Sequence, residues 1–424
     1  TRSADRTVLN FEPRTTYPFD MPSADAIDQP QVGRGNSNDS LRRHNLSVIL
    51  ELVHRNRGLS RSQLTRQTGL NRSTIAALVA ELVALGLAIE VEPDPGNRVG
   101  RPSPIVRPDP CTVGIAVNPE IDAVTIGVVG LGGSVVERVR HPVGHPPTVH
   151  EAVDIAAEVI ARLRVELDTR YRIRGIGVAV PGLVRTGDGL VRLAPHLGWH
   201  DEPFAELLAA ATGLAVVAAN DAHLGTRAES TFGAGRDIGD LIYLNGGASG
   251  IGGGIVSGSN PLEGYAGYAG ELGHTLVNSA GAACHCGATG CLETEVRRDR
   301  LIELVGLSNA DGDELEVALR VSMDPAVGTE VRRQLDFLAV ALRNAINMLN
   351  PRLIVLGGFL TALYAVDSGY LDALLASQPL SASRESVSVV PTQLGSDLLL
   401  LGAAELVFEG LIADPASAGS WHVR

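Results

Sequence analysis

The chain has 424 residues, of which 45% are hydrophobic, and a formal net charge of −13. This length exceeds what one compact core organises, so two or three domains are predicted. No run approaches the roughly 18 uninterrupted apolar residues of a membrane span, and residues 1–20 lack the pattern of a signal peptide, so we expect a cytoplasmic protein without membrane contact.

The charge is unevenly distributed along the chain. Residues 41–107 contain ten arginines and five acidic residues, a net charge of +5, which leaves −18 on the remainder. A basic module on an acidic body can hold phosphates while the field of the body discourages indiscriminate binding to DNA. Residues 1–40 have little periodicity and several prolines, and they are predicted to form an extended or flexible arm.

The basic module begins with apolar residues at helical spacing over 41–55. Ser60 and Gln63 then match a capping box, which predicts a short second helix to about Thr68. Asn71 can cap a third helix, and Gly86 ends it. This succession is typical of a helix-turn-helix, with the third helix in the position that contacts the major groove of DNA.

The polar residues of this region are candidates for contact with bases and phosphates. They are Arg61, Asn71, Arg72, Ser73 and Thr74. Strand-like runs at 87–92 and 103–107 flank a turn-rich segment and predict a β-hairpin wing, from which Arg98 and Arg101 can reach the minor groove. Residues 41–108 are thus predicted to form a winged helix-turn-helix; the alternative is a small helical dimerisation or lid domain.

The remainder of the chain alternates strand-like and helical runs in two similar rounds, which predicts an α/β protein with two lobes around a cleft. We place the first lobe at 109–235. The second lobe is placed at 236–413 with helices over 293–305 and 329–349 and a closing helix near 398–412, and a tail follows at 414–424.

Three of the four cysteines lie in one glycine-rich loop. Cys284, Cys286 and Cys291 with His274 offer three thiolates and one imidazole, the ligand set that a structural, tetrahedral Zn²⁺ prefers. Clustered thiols in a chain without a secretory signal fit metal binding better than disulfides. The alternative is a chance cluster packed as small hydrophobic residues. The fourth cysteine, Cys111, is predicted to be buried.

The motif Gly-His followed by Cys-x-Cys-Gly-x-x-Gly-Cys-x-Glu over 273–293 resembles the signature of the ROK family of sugar kinases and transcriptional repressors. The segments 264–274 and 220–222 resemble the same family, and the likeness covers nearly everything after about residue 40. It implies a two-lobed, actin-like (ribonuclease-H-like) body, and Gly-Arg-Pro at 100–102 resembles the wing of the repressors. We call the predicted DNA-binding domain, residues 41–108, the reader. An operator with two-fold symmetry needs two readers, so a homodimer or homotetramer is predicted.

The resemblance also implies a ligand site. In the family's kinases the aspartate at the position of Asp221 takes a proton from the sugar hydroxyl, and other residues bind the sugar's remaining hydroxyl groups. The positions that match are Gly182, Asn220, Asp221, Glu271, His274 and Glu293. Taken singly, each carboxylate has the alternative of an ordinary helix cap or surface charge.

The chain departs from the kinases in their phosphate-binding loop, Asp-x-Gly-Gly-Thr. The matching residues are 116–120, Ala-Val-Asn-Pro-Glu, so both glycines and the aspartate are absent. Pro119 removes an N–H donor and Glu120 adds negative charge where a phosphate would lie. Glycine-rich segments at 246–254 and 357–358 still resemble the nucleotide side.

The sequence therefore predicts a DNA-binding transcriptional regulator that senses a sugar or sugar derivative without phosphorylating it. Repression is favoured over activation. No residue is assigned a catalytic role, and Asp221 is a vestigial base position. Two alternatives stay open: an ATP-dependent sugar kinase with an appended DNA-binding domain, and a regulator whose sugar pocket is no longer used.

Overall fold

A computed structural model describes residues 38–92, 103–185, 187–307 and 312–418. The chain up to Leu41 forms a unit of its own, of which Asn38–Leu41, the start of the first helix, is described. The second unit runs from Arg42 onward. Most of the arm predicted at 1–40 therefore lies outside the described residues.

The N-terminal elements have the order of a winged helix-turn-helix, and they are α1 (Asn38–Arg55), β1 (Leu59–Ser60), α2 (Arg61–Thr68), α3 (Arg72–Ala84), β2 (Ala88–Val91) and β3 (Ile105–Pro108). The capping box of Ser60 and Gln63 is confirmed at the start of α2, and Asn71 caps α3. The strands form an antiparallel sheet in the order β1-β3-β2. The turn at 93–102, with Arg98 and Arg101, lies outside the described residues.

The first lobe is built on a five-stranded sheet in the order β11-β7-β4-β5-β6. Its elements are β4 (Thr112–Pro119), β5 (Ala123–Gly130), β6 (Ser134–Pro142), α4 (Val149–Arg170), β7 (Arg172–Val180), β8 (Leu183–Val184), β9 (Val191–Ala194), β10 (Trp199–Glu202), α5 (Phe204–Thr212), β11 (Val216–Asn220) and α6 (Asp221–Phe232). Strands β4, β7 and β11 are parallel, and β5 is antiparallel to both of its neighbours. Strands β8 to β10 form a small separate sheet.

The second lobe repeats this arrangement in the order β14-β13-β12-β15-β16. Its elements are β12 (Leu241–Gly247), β13 (Gly250–Ser257), β14 (Asn260–Pro261), α7 (Leu292–Glu295), α8 (Arg298–Leu304), α9 (Gly312–Val321), α10 (Pro325–Leu349), β15 (Leu353–Gly358), α11 (Phe359–Val366), α12 (Ser368–Ser377), α13 (Ser381–Arg384), β16 (Ser388–Pro391) and α14 (Leu398–Ala413). Strand directions match those of the first sheet, with β13 antiparallel and β15 and β16 parallel to β12. This duplication confirms the predicted two-lobed α/β body.

Helix α14 packs on the first lobe, although its position in the sequence suggested the second. The sequence analysis grouped it with the second lobe, but its contacts are with β4, β5 and β7 of the first sheet and with α6. The reason is its apolar surface, since Leu400, Leu401 and Phe408 are buried in the same core as residues of the first lobe. Helix α6, which the sequence analysis did not predict, contacts both α14 and the second-lobe strands β12 and β13.

The winged helix-turn-helix shares its core with the body. Leu46, Ile49 and Val53 of α1 belong to one buried apolar cluster with Phe408 and Leu401 of α14. A hydrophobic cluster of this kind marks one continuous core rather than two separate ones. The winged helix-turn-helix is therefore packed directly onto the first lobe.

A buried arginine adds a polar link at the same junction. Arg172, at the start of β7, donates hydrogen bonds to Asp109 (2.7 Å) and to the hydroxyl of Thr112 (3.0 Å), and also to the carbonyl of Gly86 beyond α3. Because the guanidinium is almost fully buried, its partners fix the end of α3 relative to β7.

Two predicted helices in the second lobe have different bounds. The single helix predicted over 293–305 is interrupted at Val296–Arg297, giving α7 and α8. Buried Gln334 of α10 accepts a hydrogen bond from the Arg297 amide (3.1 Å) and donates one to the Arg297 carbonyl (3.1 Å), so tertiary contacts replace helical ones. Helix α10 starts at Pro325 rather than 329 because Asp324 caps it.

No single helix among the described residues is both long and apolar enough to cross a membrane. Helices α11 and α12 reach the required length and composition only as a pair, and a bend of 86° separates them.

Candidate functional site

The cleft between the lobes is organised where β11 ends and α6 begins. The side chain of Asn220 caps α6 by accepting a hydrogen bond from the His223 amide (3.0 Å). Its amide nitrogen donates to the carbonyl of Gly182 (3.0 Å). One side chain thus joins the loop after β7 to the first turn of α6.

The loop at Gly182 approaches its neighbours too closely for a side chain. A Cβ atom at Gly182 would lie 2.4 Å from the carbonyl oxygen of Leu193 and 2.8 Å from the Cα of Ala194. Glycine is therefore required here, and its presence lets the loop lie directly against β9 at the edge of the pocket.

Asp221 is the first residue of α6 and accepts a hydrogen bond from the Ala222 amide (2.8 Å). Burial raises the pKa of Asp221 to about 7, and the carboxylates of Glu120 and Glu271 raise it further. At neutral pH this carboxyl group is therefore poised between an acceptor and a donor of hydrogen bonds. Burial also raises the pKa of Glu271.

The six predicted ligand-binding residues line one cavity of about 190 Å³. They are Gly182, Asn220, Asp221, Glu271, His274 and Glu293. Further polar groups in the wall come from Asn245 in β12 and from Ser249 in the turn between β12 and β13. A small cavity with convergent amide, carboxylate and imidazole groups suits a compact polyhydroxylated molecule.

The sequence analysis missed two histidines in this wall. His196 follows β9 in the first lobe and His285 lies in the cysteine loop of the second, and their ring centroids are 5.6 Å apart in an edge-to-face arrangement. His285 Nδ1 is 3.1 Å from Glu293 Oε1. The position of His285 between two cysteines was visible in the sequence. Only the folded chain, however, brings it opposite His196.

The four predicted metal ligands also lie together. The Sγ of Cys284 is 3.6 Å from His274 Nδ1, and the Sγ atoms of Cys286 and Cys291 are 3.7 Å apart. All four ligand atoms lie within 4.8 Å of one another. A tetrahedral Zn²⁺ with bonds of about 2.0–2.3 Å separates its ligand atoms by roughly 3.4–3.8 Å, so the donor set fits the ion.

Glu293 connects this cysteine loop with the pocket. Its Oε1 accepts a hydrogen bond from the Cys284 thiol (3.0 Å) and is 3.4 Å from His274 Nδ1. The group formed by His274, His285 and Glu293 is a second set that could hold a metal ion, but it shares His274 with the first. The three thiols make the first set the better match to zinc.

A second cavity, of about 370 Å³, lies at the turn between β4 and β5 and reaches the glycine-rich turns at Gly246 and Gly358. Its described wall includes the carboxylates of Glu120, Asp313 and Glu316 and the guanidinium of Arg138. Burial raises the pKa of Glu120.

The turn after β4 offers few amide donors to a phosphate. Pro119 has no N–H, and the N–H of Glu120 donates to the carbonyl of Ala123 (2.8 Å). A phosphate-binding turn normally presents free amide groups to the anion, so this one lacks the usual cradle.

The first turn of α3 carries the predicted DNA-binding residues on an exposed surface. Asn71 accepts hydrogen bonds from the Thr74 amide (2.9 Å) and the Ser73 hydroxyl (2.7 Å). The side chain of Arg72 is exposed and makes no hydrogen bond or ion pair with a described residue. The guanidinium of Arg61, another predicted contact, forms two hydrogen bonds of 2.5 Å with Glu90 of β2.

Known proteins resemble this chain over most of its length. A xylose repressor from Caldicellulosiruptor bescii is 25% identical over 399 residues, which cover 89% of this chain and 98% of the repressor. The crystal structure of a ROK family transcriptional regulator, a homologue of the E. coli MLC protein, matches with a TM-score of 0.71 and 22% identity, covering 88% of this chain and 97% of that one. At that identity the likeness shows the fold.

Kinases are also among the similar structures. A ROK family glucokinase from Streptomyces griseus, solved with glucose and AMPPNP, matches with a TM-score of 0.60 and 25% identity, covering 70% of this chain and all 100% of the kinase. A family model described as the ROK family matches residues 115–409. Since this match spans more than half of the chain, the protein belongs to the ROK family.

Proposed function

We propose that this protein is a DNA-binding transcriptional repressor whose body binds a sugar without phosphorylating it. The observation that carries the proposal is a contrast within one cleft. The pocket at the start of α6 keeps all six predicted ligand-binding residues. In the adjoining turn, Pro119 has no N–H, the N–H of Glu120 is already paired, and neither residue offers a positive charge to a phosphate.

Regulation by DNA binding is supported by the reader and by the relatives. The xylose repressor aligns with 89% of this chain, a larger share than the 70% covered by the glucokinase. The additional length is consistent with a reader that the kinase lacks. The exposed first turn of α3, with Arg72 and Ser73, is the surface we assign to the operator.

The charges in the pocket favour a neutral sugar. Three carboxyl groups, those of Asp221, Glu271 and Glu293, line the wall and would repel an anionic ligand. Carboxylates accept hydrogen bonds from hydroxyl groups, and the imidazole of His274 adds a further partner. D-xylose and D-glucose, which are named by the repressor and the kinase structure, are therefore the first probes.

We assign a structural Zn²⁺ to His274, Cys284, Cys286 and Cys291. Bound there, the ion would fix the loop between His274 and Glu293, both of which line the pocket. The ion has no role in the proposed function beyond this positioning, because four protein ligands leave no open coordination site. A homodimer or homotetramer would place two readers on a two-fold operator.

The test is selection of genomic DNA fragments by the purified protein at physiological salt, with and without D-xylose or D-glucose. We expect enrichment of a palindromic site and a change in that enrichment when a sugar is added. Enrichment that neither these sugars nor a wider panel alters would leave the reader supported and remove the sensing role. Absence of any enriched sequence would overturn the repressor assignment.

A parallel assay addresses the kinase alternative. ATP hydrolysis and sugar phosphate formation are measured with each sugar, and we expect neither above the level of the protein-free reaction. Sugar-dependent turnover that the Asp221→Asn variant loses would show that the body phosphorylates its ligand.

Replacement of Arg72 by alanine should weaken operator binding by about 5- to 150-fold if its guanidinium pairs with a base edge. A loss confined to the selected sequence indicates base contact, whereas equal loss on random DNA with a salt slope lower by about one indicates phosphate contact. Arg162→Ala, an exposed arginine of α4 with the same charge change, is the matched control. Equal affinities for wild type and Arg72→Ala would exclude this face of α3 from the operator.

A further inference from the structure

His54, in the last turn of α1, is a buried polar residue at the junction between the reader and the body. Its neighbours on the buried face of α1 are apolar, among them Ile49, Leu50 and Val53, while His54 itself is 1% exposed. A buried imidazole is costly unless both ring nitrogens find partners. Both do so, and each partner comes from a different element of the body.

The two hydrogen bonds fix the ring in one chemical form. The amide of Gly132, in the turn between β5 and β6, donates to Nδ1 (2.9 Å), so that nitrogen carries no proton. Nε2 carries the proton and donates to Oε1 of Glu405 in α14 (2.9 Å). Reader and body are thus joined by a neutral histidine with a defined tautomer, which tolerates little displacement of either partner.

Aromatic contacts connect the same ring to α6. Phe232, the last residue of α6, lies edge to face with His54 at a centroid distance of 5.1 Å, and Phe408 of α14 lies at 6.0 Å. The guanidinium of Arg57 covers the Phe232 ring at 5.5 Å. Arg55 donates to the carbonyl of Ser230 (3.4 Å). The C-terminal end of α1 is therefore attached to the C-terminal end of α6.

The opposite end of α6 is the ligand pocket. Asn220 caps the helix and Asp221 begins it, and both line the cavity. The helix has 12 residues, a length of about 18 Å at the rise of an α-helix. A ligand that moves the first turn of α6 would therefore also move the last residue of this short helix, Phe232, which contacts His54.

Helices α6 and α14 are packed closely enough to move together. A Cβ atom at Gly402 of α14 would lie 2.3 Å from the carbonyl oxygen of Leu224 of α6, so the two backbones touch at this point. His54 contacts α6 through Phe232 and α14 through Glu405. It is thus bound to both members of the pair.

We propose that His54 is the positioning residue that transmits the ligand state of the pocket, through the α6–α14 pair, to the recognition helix α3. The inference rests on the proposed function and specifies how the same site is regulated. A shift of α6 moves Phe232 and, through α14, Glu405, both of which contact the His54 imidazole. Helix α1 moves with them because it carries His54. Helix α3 follows α1 because Ile75, Leu78 and Leu82 share its buried core.

The experiment measures how strongly sugar changes operator affinity. The double variant His54→Leu/Glu405→Leu removes both ends of the buried hydrogen bond without leaving either of these two groups unpaired. Phe232→Leu removes the aromatic contacts of this ring with His54 and Arg57 and leaves the hydrogen bond in place. His44→Leu, an exposed histidine on the same helix, is the control. Sugar affinity is measured by calorimetry. Affinity for the selected DNA fragment is measured with and without D-xylose or D-glucose.

In wild type and His44→Leu, we expect sugar to change operator affinity by about 5- to 150-fold. In the double variant and in Phe232→Leu, that change should fall to less than about twofold, while sugar affinity and sugar-free operator affinity each stay within about threefold of wild type. Loss of packing alone would lower stability or both affinities and would not selectively remove their dependence on each other. An undiminished sugar response in folded variants would overturn the inference.

A second measurement separates failure of this inference from failure of the proposed function. If neither sugar alters operator binding by wild type, the sensing assignment for these sugars fails, and the link is tested without ligand. Asp221→Asn at one end of α6 and Phe232→Leu at the other are combined in a double-mutant cycle of operator affinity. A departure of about threefold or more from multiplicative effects supports the link, and independent effects overturn it.

Discussion

Replacement of Cys291 by serine is expected to remove the bound zinc and to weaken sugar binding by about 10- to 100-fold. Cys291 is buried, and its Sγ lies 3.7 Å from that of Cys286. Serine at position 291 would replace one thiolate by a hydroxyl group, which binds zinc poorly, and only three good ligands would remain. His274 and Glu293 would then lose the ion that fixes their loop. Metal content is measured by mass spectrometry and sugar affinity by calorimetry.

Cys111→Ser is the matched control, because Cys111 lies before β4 and outside the ligand cluster. We expect this variant to keep one zinc per chain and wild-type sugar affinity. Chelation of the wild-type protein should reproduce the Cys291→Ser phenotype, and returning zinc should reverse it. The ligand assignment would be contradicted if purified wild-type protein contained no zinc. It would also be contradicted if Cys291→Ser retained as much zinc as wild type.

Asp221→Asn is expected to weaken sugar binding by about 10- to 100-fold at pH 8, where the wild-type carboxyl group is ionised and accepts a charge-assisted hydrogen bond from a sugar hydroxyl. The amide oxygen of asparagine can still accept the hydrogen bond from Ala222, so the start of α6 is preserved. Calorimetric titration at pH 6 and pH 8 gives the comparison. We expect wild-type affinity to rise between these values and the variant's to stay level.

The same substitution should stabilise the free protein at high pH. The pKa of Asp221 is raised by burial from 3.8 to about 7, which corresponds to about 4 kcal/mol against the ionised form. Because the folded state holds its proton more tightly than the unfolded state, wild-type stability falls as pH rises from about 4 to about 7 and then levels off. The variant lacks this loss.

Melting temperatures at pH 4.5 and pH 8 test the sign. We expect Asp221→Asn to exceed wild type by several degrees at pH 8 and by much less at pH 4.5. Asp154→Asn, an exposed aspartate of α4, should differ little from wild type at both values. A stability difference between Asp221→Asn and wild type that is independent of pH would show that Asp221 titrates normally.

Local chemistry in the sequence was enough to predict much of the reader. Ser60, Gln63 and Asn71 satisfy backbone groups within a few residues of themselves, so the starts of α2 and α3 depend on neighbours in the chain. The strands of the body were predicted for a similar reason, since buried runs such as 113–117 and 353–356 contain no polar side chain. The cysteine spacing likewise determines which side chains can reach one ion.

The contacts that divide or join elements depended on distant residues. Gln334 interrupts the helix predicted over 293–305 from a position some forty residues away, and nothing in that segment's own composition marks the break. Arg61 is predicted to contact DNA, and the sequence did not indicate that Glu90 of β2 forms two hydrogen bonds with its guanidinium. Pairing of this kind is decided by the fold, since residues separated along the chain become neighbours only when the sheet forms.

The sequence by itself determined the family, the order of the two lobes, the spacing of the His274 and cysteine cluster and the residue types of the pocket, because each of these depends on short-range patterns. The tertiary structure alone decided that His196 faces His285 across the pocket, and that α14 packs on the first lobe. It alone decided that His54 contacts both α6, which begins at the pocket, and α14, which packs against α6. Burial and long-range packing create these relations, and neither is a property of residues adjacent in the chain.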